Sequence, residues 1–200
     1  MTTSETTDVA DRRERLLDDV VDYVLDHGVS GLTLRALAGA VGSNNRMLLY
    51  YFGSRDDLIV AALHGAEARF PGMHAIMTGI DAHDLALPER LERAWRTISD
   101  PENLPFHRLF FEIFGLASFE REKFAGLLDL IGTEWVDHVA RAFADDGVNE
   151  ATSLALAHET VALWRGFQAT LLSTGDAATV ERAASAALDS IVARAQAASD

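Results

Sequence analysis

The chain has 200 residues, 48% of them hydrophobic, and a formal net charge of −14 at pH 7. This length and composition provide one sizeable core, or a module of about 50 to 60 residues joined to a larger one. Because the chain has no cysteine, it forms no disulfide, no thiolate metal site and no cysteine nucleophile. No apolar run approaches the roughly 18 residues of a membrane span, and the N-terminus lacks the apolar segment of a signal peptide. We therefore expect a cytoplasmic protein that does not enter a membrane.

The first predicted element is a helix from about Asp8 to His27, which Gly28 ends as a left-handed residue. Apolar residues recur at helical spacing along this helix and along most of the chain, and no period-2 run is sustained. The chain is therefore predicted to be all-α. The opposite face of the first helix carries several aspartates, which we interpret as a solvated surface.

Two short helices follow. Thr33 is predicted to cap the second helix, which Gly42 ends, and the third helix begins near Ser43 or Asn44 and ends at Gly53. Because helices of about eight residues bury little by themselves, they need the first helix as a base, which is the arrangement of a three-helix helix-turn-helix domain.

A fourth helix is predicted to be capped by Ser54 and to run across a domain boundary near Phe70. The segment that begins at Pro71 is interpreted as a break. The remaining predicted helices are Pro88 to Ser99, Leu104 to Ser118, Phe119 to Asp145, Asn149 to Ser173 and Asp176 to Ala198. About nine helices are expected in total.

The distribution of charge matters more than its sum. From Thr33 to Arg55 there is no acidic residue, and Arg35, Arg46 and Arg55 give this stretch a charge of +3. A basic window inside an acidic protein is compatible with contacts to phosphate groups.

The segment from Leu32 to Ile59 resembles the DNA-binding region of the TetR (tetracycline-repressor) family of transcriptional regulators. The matching features follow in the expected order, and they are Thr33, Arg35, Leu37, Ala38, Gly42, Leu48, Tyr51, Phe52, Ser54 and Arg55. The sequence departs from the family at Leu49, where a phosphate-binding tyrosine is common, and at Ser43, where an apolar residue is usual. The first departure removes one backbone contact and leaves the fold intact.

The resemblance implies a helix-turn-helix DNA-binding domain at residues 8–54, extended by the linking helix to about 70, and an effector-binding and dimerisation domain at 71–200. It also implies that the third helix enters the major groove. The implied DNA-binding residues are Thr33, Arg35, Asn44, Asn45, Arg46, Met47, Tyr50, Tyr51 and Arg55.

Several of these residues have a second interpretation. Asn44 and Asn45 are also good helix caps, and Thr33 is first a cap and then a phosphate contact. Arg35 could be a surface arginine without a role, and Tyr50 could be half-buried packing. Tyr51 and Arg55 match phosphate-contacting positions of the family.

Aromatic residues concentrate between Trp95 and Trp135, where the family holds its effector. Individually these rings are ordinary core residues, but together they are typical of an apolar cavity with a few polar groups such as His107, Glu112 and His138. The expected lining residues are Trp95, Phe110, Phe114 and Trp135.

The expected partners are a double-stranded operator, a small apolar or aromatic effector that relieves repression, and a second copy of the chain. The second copy is expected to bind as a four-helix bundle through the apolar stripes of helices 149–173 and 176–198, with Leu188 in the interface. No cofactor, metal or catalytic residue is expected. The chain has no HExxH and no Glu-x-x-His pattern, so an enzyme is the weaker alternative. The other alternative is a dimeric all-helical ligand-binding or adaptor protein with little DNA binding.

Overall fold

The computed structural model describes the backbone of residues 3–199 and the side chains of residues 9–73 and 75–199. This part of the chain is all-α, as predicted, with ten α-helices and one short 3-10 turn at Pro101–Asn103. The helices are α1 (Thr3–His27), α2 (Leu34–Ala40), α3 (Asn45–Phe52), α4 (Arg55–Ala68), α5 (Pro71–Ile80), α6 (Leu87–Ile98), α7 (Leu104–Phe119), α8 (Ala125–Asp145), α9 (Glu150–Thr174) and α10 (Ala177–Ser199).

The predicted fourth helix does not run across residue 70. Helix α4 ends at Ala68, and a separate helix α5 occupies the segment that was interpreted as a break. Pro71 is the first residue of α5, where its missing N–H costs nothing and its fixed φ suits a helix start. This restart is the reason that ten helices are observed where about nine were expected.

Two further predicted bounds were wrong. Helix α1 begins at Thr3, five residues before the predicted start, and α8 begins at Ala125, whereas its predicted start was Phe119. Residues 120–124 form a bend and turns between α7 and α8. The bounds of α6, α7, α9 and α10 lie within one residue of the predictions.

The chain divides into two compact units. The first unit consists of Met1–Phe70 together with Arg108–Leu127, and the second consists of Pro71–His107 together with Leu128–Asp200. Helix α1 packs on α4 in the first unit, and α6, α9 and α10 pack on each other in the second. The division by function, with DNA binding before residue 70 and effector binding after it, stays a prediction.

The first unit has its own core. Val20 and Val24 of α1, Leu37 of α2 and Leu48 of α3 are each almost fully buried. These residues form the apolar faces that the sequence predicted for α1, α2 and α3. The two short helices thus bury their apolar side chains against α1 and α4, because neither could exclude water alone.

The core of the second unit contains the buried stripes of the last two helices. Trp164 and Leu171 of α9 and Leu188 and Ile191 of α10 are buried within their own chain. No helix in the described residues is both long enough and apolar enough to cross a membrane.

Candidate nucleic-acid interface and effector-binding residues

Helix α2 begins at a side-chain cap. The hydroxyl oxygen of Thr33 accepts a hydrogen bond from the amide of Ala36 at 3.2 Å, which satisfies one of the unpaired N–H groups of the first turn. Gly42 then adopts a φ of +62°, and this left-handed backbone allows the sharp turn into α3. The cap and the turn were both predicted from the sequence.

Helix α3 is capped in the same way. The Oδ1 atom of Asn44 accepts from the amide of Met47 at 3.0 Å, and Gly53, with a φ of +81°, ends the helix. Of the two interpretations of Asn44, the structure therefore shows the cap. Its Nδ2 group is not used by this bond, so the cap leaves a donor for a second partner.

Four side chains of α3 are exposed. Asn45 and Arg46 lie at the start of the helix, and Leu49 and Tyr50 follow with 43% and 69% of their surface exposed. Tyr50 is therefore not half-buried packing. Arg35 of α2 is exposed as well. These residues form a solvent-facing surface on the two short helices, which we call the reading face.

Two predicted residues of α3 are half-buried. Met47 uses its amide in the cap of Asn44, and Tyr51 packs edge-on against Tyr50 with ring centroids 5.0 Å apart. Next to them, the guanidinium of Arg13 lies 5.2 Å from the ring centroid of Phe52, a cation–π contact between α1 and α3. The sequence did not indicate Arg13, because its partner lies 39 residues further along the chain.

Arg55 is held by the protein itself. Its Nε donates to the carbonyl oxygen of Leu32 at 2.9 Å, one Nη donates to the carbonyl oxygen of Val29 at 3.5 Å, and the other pairs with Asp56 at 3.2 Å. Its side chain is 30% exposed. The guanidinium therefore joins the start of α4 to the loop between α1 and α2, a role that the sequence did not indicate.

The loop between α1 and α2 is also held from α7. The carboxylate of Glu112 accepts the amide of Val29 at 2.9 Å and the amide of Ser30 at 2.5 Å. The sequence grouped Glu112 with the aromatic cluster as a polar companion. Its partners lie more than 80 residues away in the chain, so no local pattern could have indicated them.

The exposed charges of the first unit are unevenly distributed. Asp18 and Asp22 of α1 bind the guanidinium of Arg69, and Asp19, Asp22 and Asp26 line an acidic groove against the end of α2. The reading face lies within the acid-free stretch from Thr33 to Arg55. A polyanion is therefore repelled by the acidic groove and attracted by the reading face.

The expected effector-lining residues of the second unit are Trp95 and Trp135. Trp95 is almost fully buried, donates from Nε1 to Glu181 at 2.9 Å and packs edge-on against Phe167. Trp135 is half-buried and packs edge-on against Trp164, with centroids 6.5 Å apart. Trp135 thus has more accessible surface for a ligand than Trp95.

The other two expected lining residues lie on α7, in the first unit. The rings of Phe110 and Phe114 are stacked, with centroids 6.0 Å apart and an interplanar angle of 4°, and both side chains are half-buried. They are four residues apart and thus share one face of the helix. The structure therefore brings the two phenylalanines together on a single accessible aromatic face.

The two histidines of the aromatic region have protein partners. His107 is buried, and its Nε2–H donates to the carbonyl oxygen of Ile98 at 2.8 Å. Burial holds the pKa of His107 below its usual value, because the charged imidazolium loses its hydration. His138 is hydrogen-bonded to the carboxylate of Asp81 at 2.8 Å.

The residues 9–73 and 75–199 offer no group of three or more metal-ligating side chains. The carboxylate of Glu159, which adjoins His158 in the sequence, is bound by Arg194 through two hydrogen bonds of 2.7 and 2.8 Å. Helix α9 is thus joined to α10 at the surface.

Solved structures resemble this chain along most of its length. One, from Rhodococcus sp. and assigned to the TetR family of transcriptional regulators, is 20% identical over 90% of this chain and 98% of that chain, with a TM-score of 0.70. The multidrug binding protein EbrR complexed with imidazole is 24% identical over 88% and 89%, with a TM-score of 0.62. BioQ with its natural double-stranded DNA operator is 20% identical over 90% and 98%, with a TM-score of 0.61.

No protein-family model and no curated protein matches the chain. The comparison therefore rests on the solved structures, and at 20 to 24% identity they show the fold alone. It confirms the all-α architecture with an N-terminal helix-turn-helix and a helical C-terminal region that the sequence resemblance implied. The chain has the fold of the TetR-family transcriptional regulators.

Proposed function

We propose that the protein is a DNA-binding transcriptional regulator, a cytoplasmic repressor that binds a palindromic operator as a homodimer and releases it when an effector binds. The observation that carries this proposal is the reading face. Asn45, Arg46 and Tyr50 point to solvent from a helix whose two ends are fixed by a side-chain cap and a left-handed glycine. An exposed polar surface on a rigid short helix is suited to reading base edges in the major groove.

The proposed roles follow from exposure. Arg46 presents a bidentate donor for guanine and Asn45 a donor and acceptor for adenine. Arg35 and Tyr50 are placed for phosphate contacts, as are Thr33 and Tyr51 at the edges of the reading face. Asn44, Met47 and Arg55 each make a contact within the protein first, so any DNA contact they make comes in addition.

The similar structures support both partners of the proposal. BioQ was solved with its double-stranded operator, and EbrR, a multidrug binding protein, was solved with imidazole. For the present chain we propose a small apolar or aromatic effector. The candidate contacts are Phe110 and Phe114 of α7 in the first unit and, as a separate candidate, Trp95 and Trp135 in the second. The half-buried rings of Phe110, Phe114 and Trp135 are the accessible aromatic surfaces among these four.

The homodimer is proposed to form through α9 and α10, by faces that the protein leaves exposed. The buried stripes of these helices are covered by their own chain, and the opposite faces carry small residues at spacings of three, four and seven. The exposed small residues are Ala151, Ala155, Ala162, Gly166 and Ala169 on α9, and Ala183, Ala186, Ala193 and Ala197 on α10. Small side chains permit the close approach of helices that a four-helix bundle requires.

The test is selection of operators from a random DNA pool, followed by fluorescence anisotropy with the selected duplex. We expect a palindromic site with half-sites spaced to match two reading faces. The Arg46→Ala variant should lose about 1 to 3 kcal/mol of binding free energy and relax its preference at one base position per half-site.

Selection that yields no preferred sequence would favour the other candidate, a helical ligand-binding or adaptor protein with little DNA binding. The exposed Leu49 is the observation that favours this candidate, because a leucine donates no hydrogen bond to a phosphate. An Arg46→Ala variant that binds the selected operator as tightly as the wild type would contradict the proposed reading head.

A further inference from the structure

The loop between α1 and α2, residues 28–33, is held on both sides of its backbone. Two of its amides, those of Val29 and Ser30, donate to the carboxylate of Glu112 on α7. Two of its carbonyl groups, those of Leu32 and Val29, accept from the guanidinium of Arg55. Hydrogen bonds to charged groups are shorter and stronger than those between neutral groups. The loop is therefore held by a carboxylate and a guanidinium that both lie outside it.

Gly28 makes room for the carboxylate. A Cβ atom placed on Gly28 would overlap the Oε2 atom of Glu112, and the φ of +72° at Gly28 is a second reason for glycine there. Gly31, three residues further on, has nearly the same φ of +71°, but a Cβ atom there would meet nothing within 4 Å. Of the two glycines in the loop, only Gly28 therefore leaves space that the carboxylate of Glu112 occupies.

The loop leads directly into the reading face. Its last residue is Thr33, whose side chain caps α2, and the turn after α2 leads into α3. A shift of the loop backbone would move the start of α2, because Thr33 is both the last residue of the loop and the cap of the helix. The position of Glu112 is therefore expected to set the position of the first DNA-contacting helix.

Helix α7 carries the carboxylate and the stacked rings on different faces. Phe110 and Phe114 share one face, whereas Glu112, two residues from each, is rotated by about 200° around the helix axis. The carboxylate that holds the loop therefore lies on the side of α7 opposite the stacked rings.

We propose that Glu112 is a positioning residue for DNA binding: its carboxylate clamps the α1–α2 loop and thereby fixes the start of α2 in the reading face. The proposal rests on the proposed function for its operator. The clamp itself is independent of the operator.

The clamp is tested by amide hydrogen exchange of the full-length protein, followed by NMR, in the wild type and in Glu112→Gln. Gln keeps the shape of Glu but loses its charge and one acceptor oxygen. We expect exchange at Val29 and Ser30 to become at least about tenfold faster, with core amides of α1 unchanged. The Glu122→Gln variant, at an exposed position of the same unit, should leave both amides within about twofold of the wild type.

Unchanged exchange at Val29 and Ser30 in Glu112→Gln would overturn the clamp. If that variant does not fold, Glu112→Asp takes its place, because a side chain shorter by one methylene keeps the charge but cannot reach both amides. The same two amides are the readout, with the same expected direction.

The effect of the clamp on DNA binding is tested by operator affinity. Glu112→Gln should weaken operator binding about three- to tenfold, because a loosened loop must be ordered on binding. Glu122→Gln removes the same charge from an exposed position and should not weaken binding. Operator affinity of Glu112→Gln equal to or above that of Glu122→Gln would overturn the positioning role. A wild type that binds no operator would refute the proposed function, and the exchange measurement would then decide the clamp alone.

Discussion

The guanidinium of Arg55 and the backbone of Leu32 form a contact of 2.9 Å between the start of α4 and the last loop residue before the cap of α2. We expect Arg55→Ala to lower the free energy of unfolding by about 1 to 3 kcal/mol, because two loop carbonyls lose a charged donor. Urea unfolding followed by circular dichroism measures this change. The sequence assigned Arg55 to phosphate, which predicts weaker operator binding with a lower salt dependence and an unchanged stability.

Arg46→Ala is the matched control, since it removes the same charge from an exposed position on α3. Its free energy of unfolding should stay within about 0.5 kcal/mol of the wild type. Equal stabilities of the Arg55→Ala variant and the wild type would show that the contacts of Arg55 in the loop contribute nothing measurable, and its phosphate role would then be the simpler account.

The cap of α3 provides a second prediction. In Asn44→Asp the side-chain oxygen still accepts from the amide of Met47, and a negative charge suits the N-terminus of a helix. Stability should therefore be retained or rise slightly, whereas operator affinity should fall by at least about tenfold because the new charge faces the phosphates. Asn44→Ala should instead cost about 1 kcal/mol of stability.

Thermal unfolding and anisotropy with the selected operator separate these outcomes. If Asn44→Asp binds the operator as tightly as the wild type, the N-terminus of α3 does not approach DNA. The result would contradict the proposed docking even if the cap behaves as expected.

The two glycines of the α1–α2 loop provide a third prediction. Gly31→Ala should cost about 1 to 2 kcal/mol of stability, since alanine is strained at positive φ. Gly28→Ala carries the same strain and also forces the carboxylate of Glu112 away from its hydrogen bonds with Val29 and Ser30, so it should be the more destabilised variant. The difference between the two should disappear in a Glu112→Ala background. Denaturant unfolding of the four variants measures it, and equal losses from Gly28→Ala and Gly31→Ala would contradict the close contact.

The sequence predicted features that depend on residues close together in the chain, and it did not predict contacts between distant residues. The cap at Thr33 and the turn at Gly42 follow from residues within four positions of each other and were predicted correctly, and the cap at Asn44 is one of the two interpretations that the sequence left open. The contacts of Glu112 with Val29 and Ser30 join residues 83 and 82 positions apart. No local propensity encodes such a pairing, because it depends on how α7 packs.

The same reasoning explains the errors in the helices. Pro71 indicated an interruption correctly, but a proline at the first position of a helix also begins one, and α5 follows directly. The apolar stripes of α9 and α10 were correctly identified as helical faces, but their assignment to the dimer interface was wrong. Periodicity alone could not tell whether their own chain or a second copy covers them, and the structure shows that their own chain buries Leu188.

The fourth prediction concerns assembly and rests on the burial of Leu188. Ala162→Arg, on the exposed face of α9, should leave the protein folded and convert a dimer to a monomer, because an arginine holds two helices apart at a close contact. Leu188→Arg buries a charge in its own chain and should unfold the protein. Light scattering and circular dichroism distinguish the two results. A monomeric wild type at micromolar concentration would remove the proposed dimer.

The last prediction concerns pH. His107 is buried, and the carbonyl oxygen of Ile98 can only accept, so the Nε2 atom of His107 carries the proton of the neutral ring. Burial lowers the pKa of His107 in the folded state below that of the unfolded chain, which is about 6.5. Below that pH the unfolded chain binds more protons, so the contribution of this residue to stability is complete above pH 6.5 and is lost as pH falls toward the folded pKa.

The His107→Gln variant keeps a donor for Ile98 and removes the titration. Between pH 6.5 and 5 its free energy of unfolding should fall less steeply than that of the wild type, by at most about 1.4 kcal/mol per pH unit for one proton. His64→Gln, at an exposed position of α4, is the control for loss of an imidazole. Urea unfolding at several pH values and constant protein concentration measures the slopes. Parallel slopes for the wild type and His107→Gln would show that His107 binds a proton without cost, contrary to its burial.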